Sequence, residues 1–217
     1  ISTLRANEYL PVFIMKHKGL FITFEGIDGS GKSTQSRRFA ELLTARGDEI
    51  ILTREPGGST GAEEIRNLVL TGETDRWSAE TEILLFTAAR RDHMEKTISP
   101  ALAAGKTVVC DRFADSTRVY QGATRGDLRS KVDALHDLMI GREPDLTFII
   151  DMDPKVALAR GLARGSGEDR FEDFGLAFQE TLRHGFLTLA HAFPKRCVLI
   201  DGNRTVEQIA TEIAACA

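Results

Sequence analysis

The chain of 217 residues has few cysteines, a single tryptophan and no long apolar run, and these shortages narrow what it can be. Its three cysteines, Cys110, Cys197 and Cys216, form no C-x-x-C pair and no histidine-paired spacing. That argues against a zinc site or a disulfide framework. Two of the three lie in strand-like apolar runs, so buried thiols in a reducing, cytoplasmic setting are expected. Residues 9–15 are apolar but too short, and interrupted by Pro11, to act as a secretory core, and no transmembrane span stands out. A formal charge of −4 gives no bulk attraction to nucleic acid or membrane. There is no internal repeat, low-complexity tract or long linker, and the length suits one sizeable core. Residues 1–14 read as an upstream extension or expression remnant, with an extra edge strand as the other reading, and 15–217 as a single domain.

What is present is organised around Phe21-Ile-Thr-Phe-Glu-Gly-Ile-Asp-Gly-Ser-Gly-Lys-Ser-Thr34. It reads as an apolar strand, a glycine turn and a helix opening on Lys32. Gly26, Gly31, Lys32 and Ser33 fill the G-x-x-x-x-G-K-[ST] pattern of a phosphate loop. A polyphosphate must be wrapped by backbone N–H groups, and glycines at 26, 29 and 31 keep Cβ atoms out of the way and permit positive φ. The following helix aims its N-terminal amides and dipole at the anion, so Asp28, Ser30 and Thr34 share the nucleotide loop. Lys32 would neutralise β/γ-phosphate charge and the Ser33 hydroxyl would ligate Mg²⁺. A dinucleotide fingerprint is excluded, because Gly29-Ser-Gly-Lys-Ser-Thr34 lacks the third glycine of G-x-G-x-x-G. A guanine-reading N-K-x-D stretch is also missing, which removes a GTPase switch.

Beyond the loop, helix is expected over 32–46, with Phe39, Leu42 and Leu43 on one face and Gly47 ending it. Glu49–Thr53 reads as a buried strand. Thr60 and Glu63 read as a capping box for a helix burying Ile65, Leu68 and Val69. A long helix is expected from Ser78 to Ala104, strands at Thr107–Cys110, Leu146–Ile150 and Cys197–Ile200, and helices near 115–121, 127–140, Asp153–Arg164 and Glu172–Ala192. Thr205 and Gln208 cap the last helix. Five apolar strands alternating with helices predict an α/β fold, a five-stranded parallel sheet with helices on both faces. Ligands in such sheets lie beyond the carboxyl ends of the strands, so Glu25–Lys32, Arg54–Gly58 and Asp111–Phe113 should converge on one cleft.

Several side chains carry chemistry there. Asp111, at a strand end facing the phosphate loop, suits a Mg²⁺ ligand, directly or through water; helix capping is its plain alternative. Arg54 emerges before a loop stiffened by Pro56 and could grip a second phosphate bidentately, or simply be a solvated loop arginine. Arg160, Arg164 and Arg170 surround the glycine break at 165–167, as a charge-neutralising flap or a surface cluster. Phe86 and Arg90, at i and i+4 on the long helix, could stack on and hydrogen-bond a flat base, though core packing is commoner for the phenylalanine.

Taken in order, Phe24-Glu-Gly-Ile-Asp-Gly-Ser-Gly-Lys-Ser-Thr34, Thr53-Arg-Glu-Pro-Gly-Gly58, Leu84-Leu-Phe-Thr-Ala-Ala-Arg90, Asp111-Arg-Phe113 and Ser116-Thr-Arg-Val-Tyr-Gln-Gly122 resemble the thymidylate kinase family. The resemblance runs from about residue 16 to Ile200-Asp201. It implies a nucleoside-monophosphate-kinase-like fold, transfer of the ATP γ-phosphoryl group to dTMP, Mg²⁺ as cofactor and a homodimer. It also implies that Phe86 and Arg90 hold thymine, Arg54 and Arg112 grip the acceptor phosphate, and Asp28 sits near the acceptor's sugar and phosphate. Tyr120 would crowd C2′ and disfavour ribose, with Ser116, Thr117 and Gln121 lining the pocket. Glycine at position 29 and arginines in a lid at about 160–172 resemble the bacterial kind, so the catalytic set is Lys32, Arg112, Arg164 and Arg170, with Arg164 the first choice in the lid. Phe113 for the usual tyrosine and Ser59 for threonine are modest departures.

The acceptor phosphate has a second pKa near 6, so no strong general base is needed, and catalysis reduces to positioning and charge neutralisation. The rivals are a phosphate-loop kinase for another nucleotide or nucleoside, and a nucleotide-binding regulator without chemistry. The second would leave the acceptor-side arginines without a use.

Overall fold

The structure, a computed structural model, describes residues 19–73, 75–122, 126–163 and 175–216. Five strands, β1 (Phe21–Glu25), β2 (Ile50–Arg54), β3 (Thr107–Asp111), β4 (Leu146–Asp151) and β5 (Cys197–Asp201), form one parallel sheet in the order β2-β3-β1-β4-β5. The helices are α1 (Lys32–Ala45), α2 (Thr60–Leu70), α3 (Ala79–His93), α4 (Ser99–Ala103), α5 (Ala114–Tyr120), α6 (Arg129–Met139), α7 (Pro154–Leu162), α8 (Gly175–Ala192) and α9 (Val206–Ala214). Strand order reverses at β1, and the crevice beyond such a switch point is where doubly wound sheets bind ligands.

The alternation of side chains along β1 assigns the two cores. Ile22 and Phe24 join Phe39, Leu43, Phe148, Ile150, Ile209 and Ile213 under α1 and α9. Phe21 joins Val108, Cys110, Phe113, Met94 and Ile98 on the opposite face. Thr23 and Glu25 share that direction, and Thr23 bonds Thr147 at 2.8 Å. Register aligns the strand ends: Arg54 and Phe24 both stand beside Asp111, and Asp151 beside Asp201. The residues that follow the strands therefore crowd one rim.

Most elements fall where the sequence places them, and the Thr205–Gln208 capping box forms. Four expectations change. β2 is only half-buried, with Leu52 exposed, because among the described residues it is the sheet's edge strand. The Thr60–Glu63 capping box does not form: Ser59 is the N-cap, and Glu63 instead accepts from the Gly58 N–H at 2.9 Å and from Arg54 at 3.0 Å. Leu68 is exposed, while Ala62 and Val69 carry the buried face of α2. The long helix is interrupted by a π-turn at Met94–Ile98, where the Ser99 N–H reaches back to the Met94 carbonyl. Pro100, which has no N–H and crowds the carbonyl four residues before it, accounts for that displaced ladder.

All three cysteines are buried free thiols. Among the described residues no helix is long and apolar enough to cross a membrane.

Candidate functional site

The turn after β1 is shaped by glycine in two ways. Gly26, Gly29 and Gly31 all take positive φ, at 140°, 78° and 94°. Gly31 faces open space, whereas a Cβ on Gly29 would sit 1.9 Å from the Ala157 carbonyl oxygen of α7. Gly29 is thus demanded by the packing of the loop on α7 as well as by the approach of a ligand. Lys32 is buried, with Nζ donating to the Ile27 carbonyl at 3.0 Å and lying 3.7 Å from Asp28 Oδ1. Burial and then the Arg112 charge pull its pKa down to about 8, against Asp28, Asp111 and Glu25, which resist. A cavity of about 410 Å³ opens over Gly29–Gln35 and is closed on its far side by Arg160, Arg204 and Thr205.

A second cleft, of about 250 Å³, lies on the other side of Lys32. Its walls are Asp28, Lys32, Ser33, Arg54, Phe86, Arg90, Asp111, Arg112, Ser116, Thr117, Tyr120 and Gln121, together with Glu55, Pro56, Arg66, Leu70 and Phe113. Lys32 and Ser33 line both cavities. Arg112, in the left-handed region at φ 71°, directs Nη1 to Ser116 Oγ at 2.9 Å and to the Gly26 carbonyl at 3.2 Å. Its Nη2 pairs with Asp28 and donates to the Tyr120 hydroxyl at 3.2 Å; that hydroxyl donates to Asp28 at 2.6 Å. Arg90 is buried, held by Glu55 at 2.7 Å and donating to Thr117 Oγ1 at 3.0 Å. Gln121 is fixed by Glu82 at 3.1 Å.

Every acceptor-side residue expected from the sequence therefore meets at one cleft. Of the loop residues expected to bind nucleotide, Gly26 lines neither cavity and its carbonyl accepts from Arg112, while Ser30 and Thr34 border the larger one. Arg164 and Arg170, with most of the expected lid at about 160–172, lie outside the described residues, as do residues 1–14. Arg160 is described and lines the larger cavity, its Nη1 3.3 Å from Met152 Sδ.

Asp111 tests the fit of a metal. Its Oδ1 is buried without a hydrogen-bond partner, and the residue lines the cleft with Ser33. Phe113, not Asp111, caps the next helix. No cluster of three metal-binding side chains exists among the described residues. That set suits Mg²⁺, which keeps its waters and takes one or two protein groups plus substrate phosphates.

Sequence reasoning missed the residues behind the contacts. Glu55 holds both Arg90 and His93, Glu25 holds Ser116, and Arg66 donates to the Pro56 carbonyl at 2.7 Å. The available signal was a carboxylate at the end of an apolar strand: Glu25 ends β1, and Glu55 follows β2 inside an Arg-Glu-Pro-Gly-Gly stretch.

A phosphate loop sharing its lysine with a second, arginine-walled cleft defines a nucleotide-dependent phosphotransferase with two substrate sites. Comparison with known proteins narrows that class. A family model described as thymidylate kinase matches residues 24–213. The thymidylate kinase of Dinoroseobacter shibae is 68% identical over 201 residues, covering 93% of this chain and 97% of that one. That of Ruegeria pomeroyi is 65% identical over 199 residues, covering 92% and 94%. The crystal structure of thymidylate kinase from Ehrlichia chaffeensis superposes with a TM-score of 0.72 at 38% identity, over 90% of this chain and 96% of that chain. The chain belongs to the thymidylate kinase family.

Proposed function

We propose that the two cavities hold two nucleotides end to end, with Lys32 and Ser33 at their meeting point. The reaction of the family is phosphorylation of dTMP by ATP, giving dTDP and ADP on the way to dTTP. The single observation carrying the assignment of residues is that Lys32 and Ser33 line both cavities, so a donor phosphate on one side faces an acceptor on the other.

The amides of Gly29–Thr34 and the positive end of α1 take the ATP phosphates, and buried Lys32 neutralises the oxygens that gain charge. Ser33 and Asp111 would hold Mg²⁺, which when bound would screen the phosphate oxygens. Arg112 and Arg54 grip the dTMP phosphate. Both are already paired, with Asp28 and Glu63, so a dianionic phosphate displaces carboxylate contacts instead of finding bare cations. Phe86 stacks on thymine and Arg90, fixed by Glu55 and Thr117, hydrogen-bonds its edge. Ser116, Thr117 and Gln121 complete the wall, and Tyr120, bound to Asp28, excludes a ribose 2′-hydroxyl. No side chain acts as a strong base, because the attacking oxygen belongs to a phosphate already ionised near neutral pH. Arg164, with Arg170, supplies lid charge to the transition state, in one domain spanning 15–217. Homodimeric assembly in the cytoplasm completes the reading, and sedimentation tests the dimer.

A coupled assay of ADP release against dTMP, dUMP, ribo-TMP, dCMP and dGMP tests the substrate. Turnover should be greatest with dTMP. Lys32→Ala should fold normally and lose at least about a hundredfold in kcat. A folded variant with undiminished turnover would remove Lys32 from the mechanism. Arg90→Ala should raise the dTMP KM and narrow the preference over dCMP.

A further inference from the structure

Glu25 is fully buried and lines neither cavity. It is the last residue of β1, and strand alternation sends it away from the nucleotide cavity, toward the start of α5. Both carboxylate oxygens are used. Oε1 accepts from the Phe113 N–H at 2.7 Å and the Ser116 N–H at 3.3 Å. Oε2 accepts from the Ser116 hydroxyl at 2.6 Å, and the oxygen of that hydroxyl accepts from Arg112 Nη1 at 2.9 Å. Arg112 immediately precedes the first of the two backbone groups that Glu25 grips, in a left-handed conformation that costs a non-glycine residue about 1–2 kcal/mol and persists only when its surroundings impose it.

We propose that Glu25 is a positioning residue that aims the Arg112 guanidinium at the acceptor phosphate through the Ser116 hydroxyl, and that the ionised carboxylate is the competent form. The inference rests on the reading of Arg112 as the acceptor clamp. Ionised Glu25 can only accept, so the Ser116 hydroxyl must donate to it and keeps its lone pairs for Arg112. A protonated Glu25 keeps Oε1 for the two N–H groups but donates from Oε2. Ser116 Oγ then accepts from Glu25 and Arg112 together, and its hydrogen swings away. One proton therefore reverses the hydrogen bond on which Arg112 leans.

The groups facing Glu25 set when this happens. Burial first, then the Asp115 charge on α5, push its pKa up to about 7, against Arg112, Ser116 and the Phe113 N–H. Lys32 on α1, Cys110 on β3 and Cys197 on β5 also feel its charge.

Glu25→Gln is the test, since its amide oxygen serves the two N–H groups while its NH₂ donates permanently to Ser116, copying the protonated form. At pH 8 kcat/KM for dTMP should fall about tenfold, with the ATP KM unchanged. The ratio of wild type to variant should close toward one below pH 6, where wild type is protonated as well. Ionisation of dTMP itself affects both proteins alike and cancels in that ratio. In a Ser116→Ala background, Glu25→Gln should add no further loss, because the link it acts through is gone. A ratio independent of pH, equal activity at pH 8, or multiplying losses in the double variant each overturn the proposal. If Arg112→Ala leaves kcat/KM for dTMP intact, the clamp reading has failed instead. Losses with Arg112→Ala but none with Glu25→Gln reject the role of Glu25 alone.

Discussion

Glu55 illustrates how a single side chain holds a site without touching the cleft's chemistry. One oxygen takes Arg90 Nε at 2.7 Å, and the other lies 3.0 Å from His93 Nδ1, whose Nε2 is 2.8 Å from Thr53 Oγ1. All three partners are buried or half-buried, so the pair is shielded from water and geometrically fixed. Glu55→Ala would strand Arg90 as an unpaired buried cation, at a cost of roughly 3–5 kcal/mol. Glu55→Gln is the gentler probe, keeping one acceptor but no charge. It should raise the dTMP KM about tenfold while the ATP KM stays put. Steady-state kinetics with each substrate varied in turn checks the split, and equal changes in both constants would contradict it.

At the scale of the elements, Gly29 and Gly31 separate two demands that look identical in the sequence. Both take positive φ, but only Gly29 is pressed against the Ala157 carbonyl of α7, while Gly31 opens onto space. Gly31→Ala should cost about 1–2 kcal/mol, the left-handed penalty alone. Gly29→Ala adds a backbone clash that must push α7 or the loop aside, and should cost about 3 kcal/mol or more and raise the ATP KM. Thermal melts of the two variants give the comparison, and equal shifts would refute the role of α7. This contrast marks what could be read in advance. The strand-turn-helix of the phosphate loop, the parallel sheet and the strand-end positions of Arg54 and Arg112 were legible because spacing and strand-end position are local properties, while Phe86 and Arg90 joined the set only through the family resemblance. The partners of those residues were not. Nothing in the sequence sets Ala157 against Gly29, sends Glu63 to Arg54 instead of a helix cap, or exposes β2, since each depends on strand order. The π-turn before Pro100 had a local cause that periodicity alone does not weigh.

At the scale of the whole molecule, one buried and one partly exposed carboxyl pull stability in opposite directions with pH. Glu143 stands where β4 begins, among Arg118, Arg196 and His136. Burial disfavours its charge, but the hydrogen bonds and charges of those neighbours outweigh it and hold its pKa well below the usual carboxylate range. A depressed folded pKa means stability present above the unfolded value of 4.5 and lost as pH falls below it. Glu25 has the reverse sign. With its pKa pushed up to about 7, the folded protein keeps a proton between pH 4.5 and 7 that the unfolded chain has released. Its contribution is complete below 4.5 and is lost as pH rises through 7, on the order of 3 kcal/mol in all. Together they place greatest stability on the acid side of neutrality, near pH 5. Melting temperature should therefore decline from pH 5 to pH 8 in the wild type, and markedly less in Glu25→Gln, which has no anion to bury. On the proposed role of Glu25, stability would be given up in the pH range where Arg112 is aimed at the acceptor. Parallel melting curves for the two proteins over that range would remove the linkage, whatever the kinetics show.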